Sequence, residues 1–400
     1  MSLLPVDAAL AAILARVPPV SSEIVDIAQA VGRVLAEPII ARHDQPPFNA
    51  SAMDGYAVRA ADVQPDEFLT VIGSAQAGAR FEGVMGHGEA VRIFTGAPLP
   101  EGADTVIMQE EAIRDGERVR FAVPARPGHS VRLKGNDFAV GDTLVAAGER
   151  LSPMQISVIA AANIAEIPVS RRPRIALVAT GDELVPPGQP LGPDQIVASN
   201  SFGLAAMLAP YADVVLDHGI MPDNREALRE GIANVLAQDP DIVITSGGAS
   251  VGEHDLVQDV LKDLGVSLDF WRINMRPGKP LMFGSLGRTL VFGLPGNPVS
   301  AMVTALVFIK PALRAWLGAA EHEPWHLPLA GATPPNSARR HFMRGRLVHT
   351  PTGPEVLPIS QTDSGHTSSL AYADLLIIQP ENDAGQQSGT LVAVLPIDGF

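Results

Sequence analysis

From Arg174 onward the apolar positions fall in a regular alternation. Short, near-continuous apolar runs at Arg174–Ala179, Asp213–His218 and Asp241–Thr245 predict strands whose two faces are both buried. Helical segments follow them, near Ser201–Leu208, over Asn224–Ala237 and near Asp255–Leu264. Pro280–Phe283 and Thr289–Phe292 then form a hairpin around Ser285-Leu286-Gly287, and Pro298 opens a last helix over Val299–Leu317. Strands alternating with helices predict a doubly wound, mostly parallel α/β sheet covered on both faces.

The flanking segments carry other patterns. Over 50–135 the runs Phe68–Gly73, Ala90–Phe94, Thr105–Met108 and Arg118–Val123 are short, β-branched and bounded by Gly or Pro, which predicts a small all-β domain. Residues 325–400 return to short β-like runs at Met343–His349, Leu375–Gln379 and Thr390–Leu395. Near the N-terminus two amphipathic segments, Val6–Arg16 and Ile24–Ala30, are separated by Pro18 and Pro19. Ser152-Pro153 supplies an N-cap and a proline at the first helical position for an Ala/Ile-rich helix to about Ala162. If this helix packs on the N-terminal segments, the β domain is an insertion between two halves of one subdomain. The expected organisation is therefore multidomain α/β plus β. An elongated helical subdomain takes residues 1–45 with 136–172, and an inserted all-β domain takes 46–135. The α/β domain covers 173–322, and a small C-terminal β domain covers 323–400.

Composition narrows the chemistry. The 400 residues include 37 Gly and 35 Pro, in keeping with many turns between short elements. The net charge of −15, with no basic tail, argues against nucleic acid as a partner, so an anionic ligand needs a local basic cluster. There is no Cys, which excludes disulfides, thiolate metal sites and Cys nucleophiles. No signal-peptide pattern or long uninterrupted apolar run is evident, and cytoplasmic residence is the expectation, with no membrane partner.

In an α/β sheet, ligands sit beyond the carboxyl ends of the strands. Three loops leave strands there: Thr180-Gly181-Asp182-Glu183, the Gly-rich Ser246-Gly247-Gly248-Ala249-Ser250-Val251-Gly252, and Leu294-Pro295-Gly296-Asn297-Pro298. The second is the best phosphate cradle, because glycines let backbone N–H groups approach an anion and a helix N-terminus follows. Arg272, Arg276 and Lys279 concentrate positive charge in an acidic protein, on a loop stiffened by Pro277 and Pro280. A helix N-terminus contributes ~0.3–1 kcal/mol to anion binding. Charge-assisted hydrogen bonds give ~1.5–3 kcal/mol each, so these side chains should dominate for a multiply charged oxyanion. Glu183 and Asp255, on the binding edge, would suit a magnesium ion that also holds phosphate. Asp54, Asp137 and Asp223 are further candidate carboxylates, and Asp54-Gly55 alone reads as a loop. His254 has no Ser or Cys nucleophile in a recognisable motif and is read as incidental.

Together these segments resemble the molybdopterin molybdenumtransferase family, the MoeA proteins and gephyrin-like E domains. The resemblance rests on the stretch from Pro47 to Arg59 with its Ser51-Ala52-Met53-Asp54-Gly55-Tyr56 core, Thr95-Gly96-Ala97-Pro98, Gly181-Asp182-Glu183-Leu184, Ser246 to Gly252, Arg276-Pro277-Gly278-Lys279-Pro280, and Leu294-Pro295-Gly296-Asn297-Pro298. They occur in the family's order along the whole chain. Arg272 and Arg276 stand where the family often has Lys, which keeps the charge but changes the donor geometry.

The resemblance implies an L-shaped homodimer of elongated four-domain subunits, with an α/β domain of the molybdopterin-binding type. In that arrangement Asp54 and Thr95 of one subunit complete a site centred on Glu183, Asp223 and Asp255 of the other, and Asp137 is counted with these catalytic residues. The implied reaction inserts molybdate into adenylylated molybdopterin, with magnesium-dependent release of AMP. Thr180, Gly181, Ser246, Gly247, Gly248, Gly252, Pro295, Gly296 and Asn297 would bind the nucleotide phosphate. Arg272, Arg276, Lys279, Arg339 and Ser368 would bind molybdate, with Arg344 and Ser369 in matching stretches, and Glu183 and Asp255 would hold the metal. The alternatives are the adenylyltransferase acting one step earlier, which leaves residues 1–170 and 325–400 unexplained, and a gephyrin-like scaffold.

Overall fold

The structure, a computed structural model, describes residues 3–248, 256–320, 325–361 and 363–397. Its centre is a six-stranded sheet in the order Val214–Met221, Arg174–Thr180, Ile242–Ser246, Thr289–Leu294, Pro280–Leu286, Ser267–Arg272. The first four strands are mutually parallel, and the last two join antiparallel. Successive side chains of a strand point to opposite faces, so each strand feeds two cores. Ile175 and Leu177 pack with Ile242, Ile244 and Phe292 on one face, against Leu204 and Leu208 of the helix Asn200–Leu208 and the helical run from Pro298. Ala176 and Val178 pack with Val243 and Val291 on the other, against Leu228 and Ile232 of Arg225–Leu236 and Val257 and Val260 of Leu256–Asp263. Each fully buried aliphatic side chain contributes ~1.5–3 kcal/mol, which is why the interiors of the three central strands, Ile175–Ala179, Ile242–Ile244 and Leu290–Leu294, are apolar.

The last helix of this domain runs from Pro298 to Trp316 and is long and apolar enough to cross a membrane, but it lies mostly buried in the core. Pro311 removes one backbone donor and crowds the carbonyl four residues back. The chain widens into a π-helical turn over Ala305–Ile309 just before it, which makes room for that ring.

The N-terminal subdomain is built on paired strands more than on helices. Ser22–Asp26 pairs antiparallel with Glu166–Ser170, and Ile39–Ile40 with Thr143–Val145. The segment Ile24–Ala30 thus divides into a strand and a 3-10 turn, because Glu166–Ser170 offers its backbone as a partner. The helix Pro153–Ala161 carries the expected Ser152 cap, with Gln155 closing a capping box, and packs Ile159 against Leu35, Ile39, Val145, Ile167 and Val169. The helix Val6–Leu14, grouped by sequence with residues 1–45, instead packs Val6, Ala9 and Ile13 into the α/β core. Arg16 pairs with Asp269 at 2.8 Å, and Leu4 bridges Ile273.

Between those halves a second six-stranded sheet runs Thr105–Met108, Gly55–Val58, Glu89–Ile93, Leu69–Ala75, Arg118–Phe121, Ala112–Asp115. Asp54-Gly55, which locally reads as a loop, stands at the start of an inner strand with all four residues buried. Gly55 is required there, since a Cβ would lie 1.9 Å from the Ile107 carbonyl oxygen. The C-terminal domain is a third sheet, ordered Met275–Arg276, Arg340–Thr350, Leu375–Gln379, Leu391–Pro396, Trp325–Pro328, with Gly353–Pro358 on Arg340–Thr350. Its first strand belongs to the cationic loop of the α/β domain, so a backbone ladder crosses the domain seam.

Gly55→Ala should destabilise the β domain by about 2–3 kcal/mol, the cost of forcing atoms into a closed space. Urea unfolding followed by circular dichroism checks this, and an unchanged midpoint would contradict the steric argument.

Candidate active site

Thr180, Ser246 and Leu294 end three neighbouring parallel strands, so their loops converge. They enclose a cleft of about 410 Å3 lined by Thr180, Glu183, Asn200, Asp223, Ser246, Gly247, Gly248, Pro295, Gly296 and Asn297, among others. Gly181 adjoins it at the end of the central strand. The two described glycines of the Gly-rich loop are obligatory. Gly247 has φ +99° and a Cβ there would stand 2.3 Å from the Thr180 carbonyl oxygen; Gly248 has φ +61° and its Cβ would stand 2.3 Å from Val257. Gly252 and Asp255, with the intervening residues and His254, lie outside the described residues.

The loops are fastened by a residue whose signal the sequence did not display. Asn200 Nδ2 donates to Ser246 Oγ at 2.9 Å and to the Gly296 carbonyl at 2.8 Å, clipping the second loop to the third. An Asn opening a helix reads as an ordinary cap, and only the crossing of two distant loops shows its use. Asn297 Nδ2 donates to Ser364 Oγ at 3.1 Å and ties the third loop to the C-terminal domain. Thr180 Oγ1 is buried without a partner and lines the cleft. A buried hydroxyl without a partner calls for an explanation, and a polar ligand atom in the cleft would supply one.

Carboxylates crowd one side. Partial burial, and then the charges of Asp182 and Glu183, push the Asp223 carboxyl above the usual aspartate range. Asp182 Oδ1 also accepts from the Asp223 backbone N–H at 3.0 Å, which fixes the neighbouring loop. Among the described residues no group of three His, Cys, Asp or Glu is arranged to hold a metal ion.

The cationic residues form a second cluster at the seam between domains. Arg276 Nη2 lies 3.1 Å from His341 Nδ1, and its Nε is buried without a partner. Burial, and then the charge of Arg339, lower the Arg276 pKa. Arg272 also buries an unpartnered Nε, with its guanidinium 5.7 Å from the Trp271 ring centre. Lys279 is exposed on the same loop. Arg344 donates to Ser369 Oγ at 2.8 Å and to the Asp363 carbonyl at 3.1 Å. Ser368 is exposed and lines a separate hollow of about 660 Å3 with Ser369, His366 and Arg346.

Asp54 and Thr95 meet in the β domain. Asp54 Oδ1 accepts from the Thr95 N–H at 2.8 Å and its hydroxyl at 2.7 Å, and these bonds, the backbone one first, hold the carboxyl below its ordinary value. Arg92 adds positive charge nearby, donating to the Gly55 carbonyl at 2.7 Å and lying over the Tyr56 and Phe94 rings. Asp137 is exposed, its backbone N–H bonded to Gln45. None of these three carboxyl-bearing or hydroxyl groups lines the α/β cleft, all of whose lining residues fall within 179–298.

Fold and site thus define a multidomain α/β protein with a glycine-walled cleft beside carboxylates and, separately, a cationic cluster at the seam between domains. Residues 4–163 match the family described as "MoeA N-terminal region (domain I and II)", 176–315 the "Probable molybdopterin binding domain", and 326–397 the "MoeA C-terminal region (domain IV)". The chain belongs to the molybdopterin molybdenumtransferase (MoeA) family, and by that membership is a transferase of molybdenum cofactor biosynthesis. It is 38% identical to the molybdopterin molybdenumtransferase of a Nostoc species over 94% of this chain and 89% of the relative. It is 34% identical to that of Haemophilus influenzae over 99% of both chains. A crystal structure of the molybdopterin biosynthesis MoeA protein from Pyrococcus horikosii superposes with a TM-score of 0.85 at 33% identity, covering all of both chains. The matched N- and C-terminal regions are the parts an α/β-only adenylyltransferase would lack.

Asp223 offers a test of the carboxylate cluster. Its pKa is raised on folding, so its contribution to stability is full below the unfolded value of about 3.9 and is lost as pH rises through the folded value. Asp223→Asn should therefore raise the thermal midpoint at pH 7 by roughly 1–2 °C, the small end for a domain of this size. The gain should fade as pH drops toward 4. Equal midpoints at pH 7 would contradict the raised pKa.

Proposed function

We propose that this protein inserts molybdate into adenylylated molybdopterin, with magnesium-dependent release of AMP, as a cytoplasmic homodimer whose sites are shared between subunits. The observation that carries the reading is the pairing of a phosphate cradle at the strand ends with a cationic seam whose central arginine has no carboxylate partner among the described residues. Family membership supplies the chemistry that those two anion sites would serve.

Gly247 and Gly248 let backbone N–H groups approach the nucleotide phosphate, with Ser246, Pro295, Gly296 and Asn297 walling the cleft and Thr180 Oγ1 free to bond it. Arg276, with Arg272, Lys279, Arg339 and Ser368 toward the same substrate, would hold the molybdate oxyanion. Burial, and then the charges of Asp182 and Glu183, raise Asp223, and a hard divalent cation at the Glu183 side would relieve that crowding; Glu183 with Asp255 would hold magnesium. When bound, that ion neutralises phosphate charge and polarises the phosphoanhydride. Asp54, kept ionised by Thr95, and Asp137 would reach the site from the β domain of the other subunit. That arrangement accounts for their absence from the cleft of their own chain. The thiolates belong to the substrate, so a chain without Cys can serve.

The purified protein, given adenylylated molybdopterin, magnesium and molybdate, should release AMP in a molybdate-dependent way. An intact dimer that releases none would remove this reading, and formation of adenylylated molybdopterin from ATP would favour the earlier step. Asp54→Ala should keep the fold and the dimer yet lose metal insertion; wild-type activity in the variant would sink that assignment. Arg276→Ala should raise the molybdate KM by about 10- to 100-fold, the worth of one or two charge-assisted hydrogen bonds, with little change in nucleotide binding. An unchanged molybdate dependence would count against its role.

A further inference from the structure

Several arginines in this chain are neutralised by carboxylates. Arg171 pairs with Asp241 at 2.7 Å, Arg33 with Glu23 at 2.5 Å, and Arg340, next to His341 in sequence, with Asp7 at 2.6 Å and Glu381 at 3.5 Å. Arg276 departs from that pattern: its terminal nitrogen meets an imidazole, and among the described residues no carboxylate pairs with it. We infer that His341 is a positioning residue that aims the Arg276 guanidinium at the oxyanion through an uncharged hydrogen bond.

The geometry is tightly determined. His341 and Gln379 are 4% and 2% exposed, so neither side chain has room to swing. Backbone pairing sets Arg276 opposite His341, and His341 opposite Gln379 on the next strand. Gln379 Nε2 donates to the Pro334 carbonyl at 2.7 Å and to Asp383 Oδ1 at 3.1 Å, which fixes the amide and leaves Oε1 3.4 Å from His341 Nδ1. Arginine can only donate, so its contact requires a lone pair on Nδ1 and the proton on Nε2; Gln379 Oε1, itself an acceptor, is then a close neighbour of Nδ1 and not its hydrogen-bond partner. Its surroundings enforce this: burial, then the charges of Arg276, Arg344 and Arg339, bring the His341 pKa down to about 4, opposed only by the Gln379 contact.

A neutral acceptor does what a carboxylate could not. It fixes the direction of the guanidinium but leaves the full positive charge for a ligand. A carboxylate in its place would compete with the oxyanion for the same donors. The inference rests on the reading that Arg276 contacts molybdate, and the experiment separates the two.

Steady-state AMP release is measured against molybdate and against pterin nucleotide for wild type, Arg276→Ala, His341→Leu and His341→Gln. The expected result is a molybdate KM raised about tenfold in His341→Leu, with kcat and the nucleotide KM within about twofold, and near-complete rescue in His341→Gln, which keeps an acceptor. If Arg276→Ala raises the molybdate KM and His341→Leu does not, the positioning role is overturned while the oxyanion assignment stands. If Arg276→Ala changes nothing, the oxyanion assignment fails and the inference with it. A His341→Leu defect in all parameters that Gln does not rescue marks a merely structural residue and also overturns it. Should His341→Leu fail to fold, selectively 15N-labelled histidine in the wild-type protein decides. A neutral Nε2–H ring at pH 7 is expected, and an imidazolium or an Nδ1–H tautomer would overturn the inference.

Discussion

The α/β sheet buries both of its faces, and the rest of the molecule follows from that. With apolar side chains packed into a separate core on each face, the strands Arg174–Thr180, Ile242–Ser246 and Thr289–Leu294 cannot slip, because a one-residue shift would exchange the residues of the two cores. Their carboxyl ends therefore stand at one fixed edge, and the backbone groups that run out of sheet partners there are available to a ligand. Polar side chains return at this edge, in Thr180, Thr245 and Ser246, all buried. Two of these hydroxyls lack partners, Thr180 Oγ1 within the cleft and Thr245 Oγ1 one residue short of a strand end.

Charge is then sorted around that edge. The acidic side gathers Asp182, Glu183 and Asp223, where burial first and like charge second raise the Asp223 pKa. On the other side the loop from Arg272 to Pro280 crosses into the C-terminal domain, where Met275–Arg276 extends its sheet. That backbone pairing aligns Arg276 with His341 and gathers Arg339 and Arg344 nearby, so three guanidiniums sit at a seam in a protein of net charge −15. Unpaired buried donors such as Arg276 Nε and Arg272 Nε carry a desolvation cost of about 1–3 kcal/mol each when left unsatisfied. A structure optimised for stability alone would supply carboxylates, as it does at Arg171 and Arg340.

The sequence on its own determined the alternation of elements in the α/β domain, the three loops at the strand ends and the cationic loop, because those signals are local. A fully buried strand is a continuous apolar run, a tight approach needs glycine, and a stiff loop shows its prolines. It also carried the motifs that identify the family. Tertiary structure alone decided what depends on contact between distant segments. Asp54-Gly55 has the local chemistry of a turn, yet Gly55 opens an inner strand because neighbouring backbones close on it and only a residue without Cβ fits. Val6–Leu14 is amphipathic wherever it docks, and the apolar surface of the long helix from Pro298, not its own pattern, draws it to the α/β core. Asn200, His341 and Gln379 are ordinary residues in sequence. Their roles come from hydrogen bonds to partners 45 to 96 residues away, and a hydrogen bond is decided by angle and distance that only the packed chain fixes.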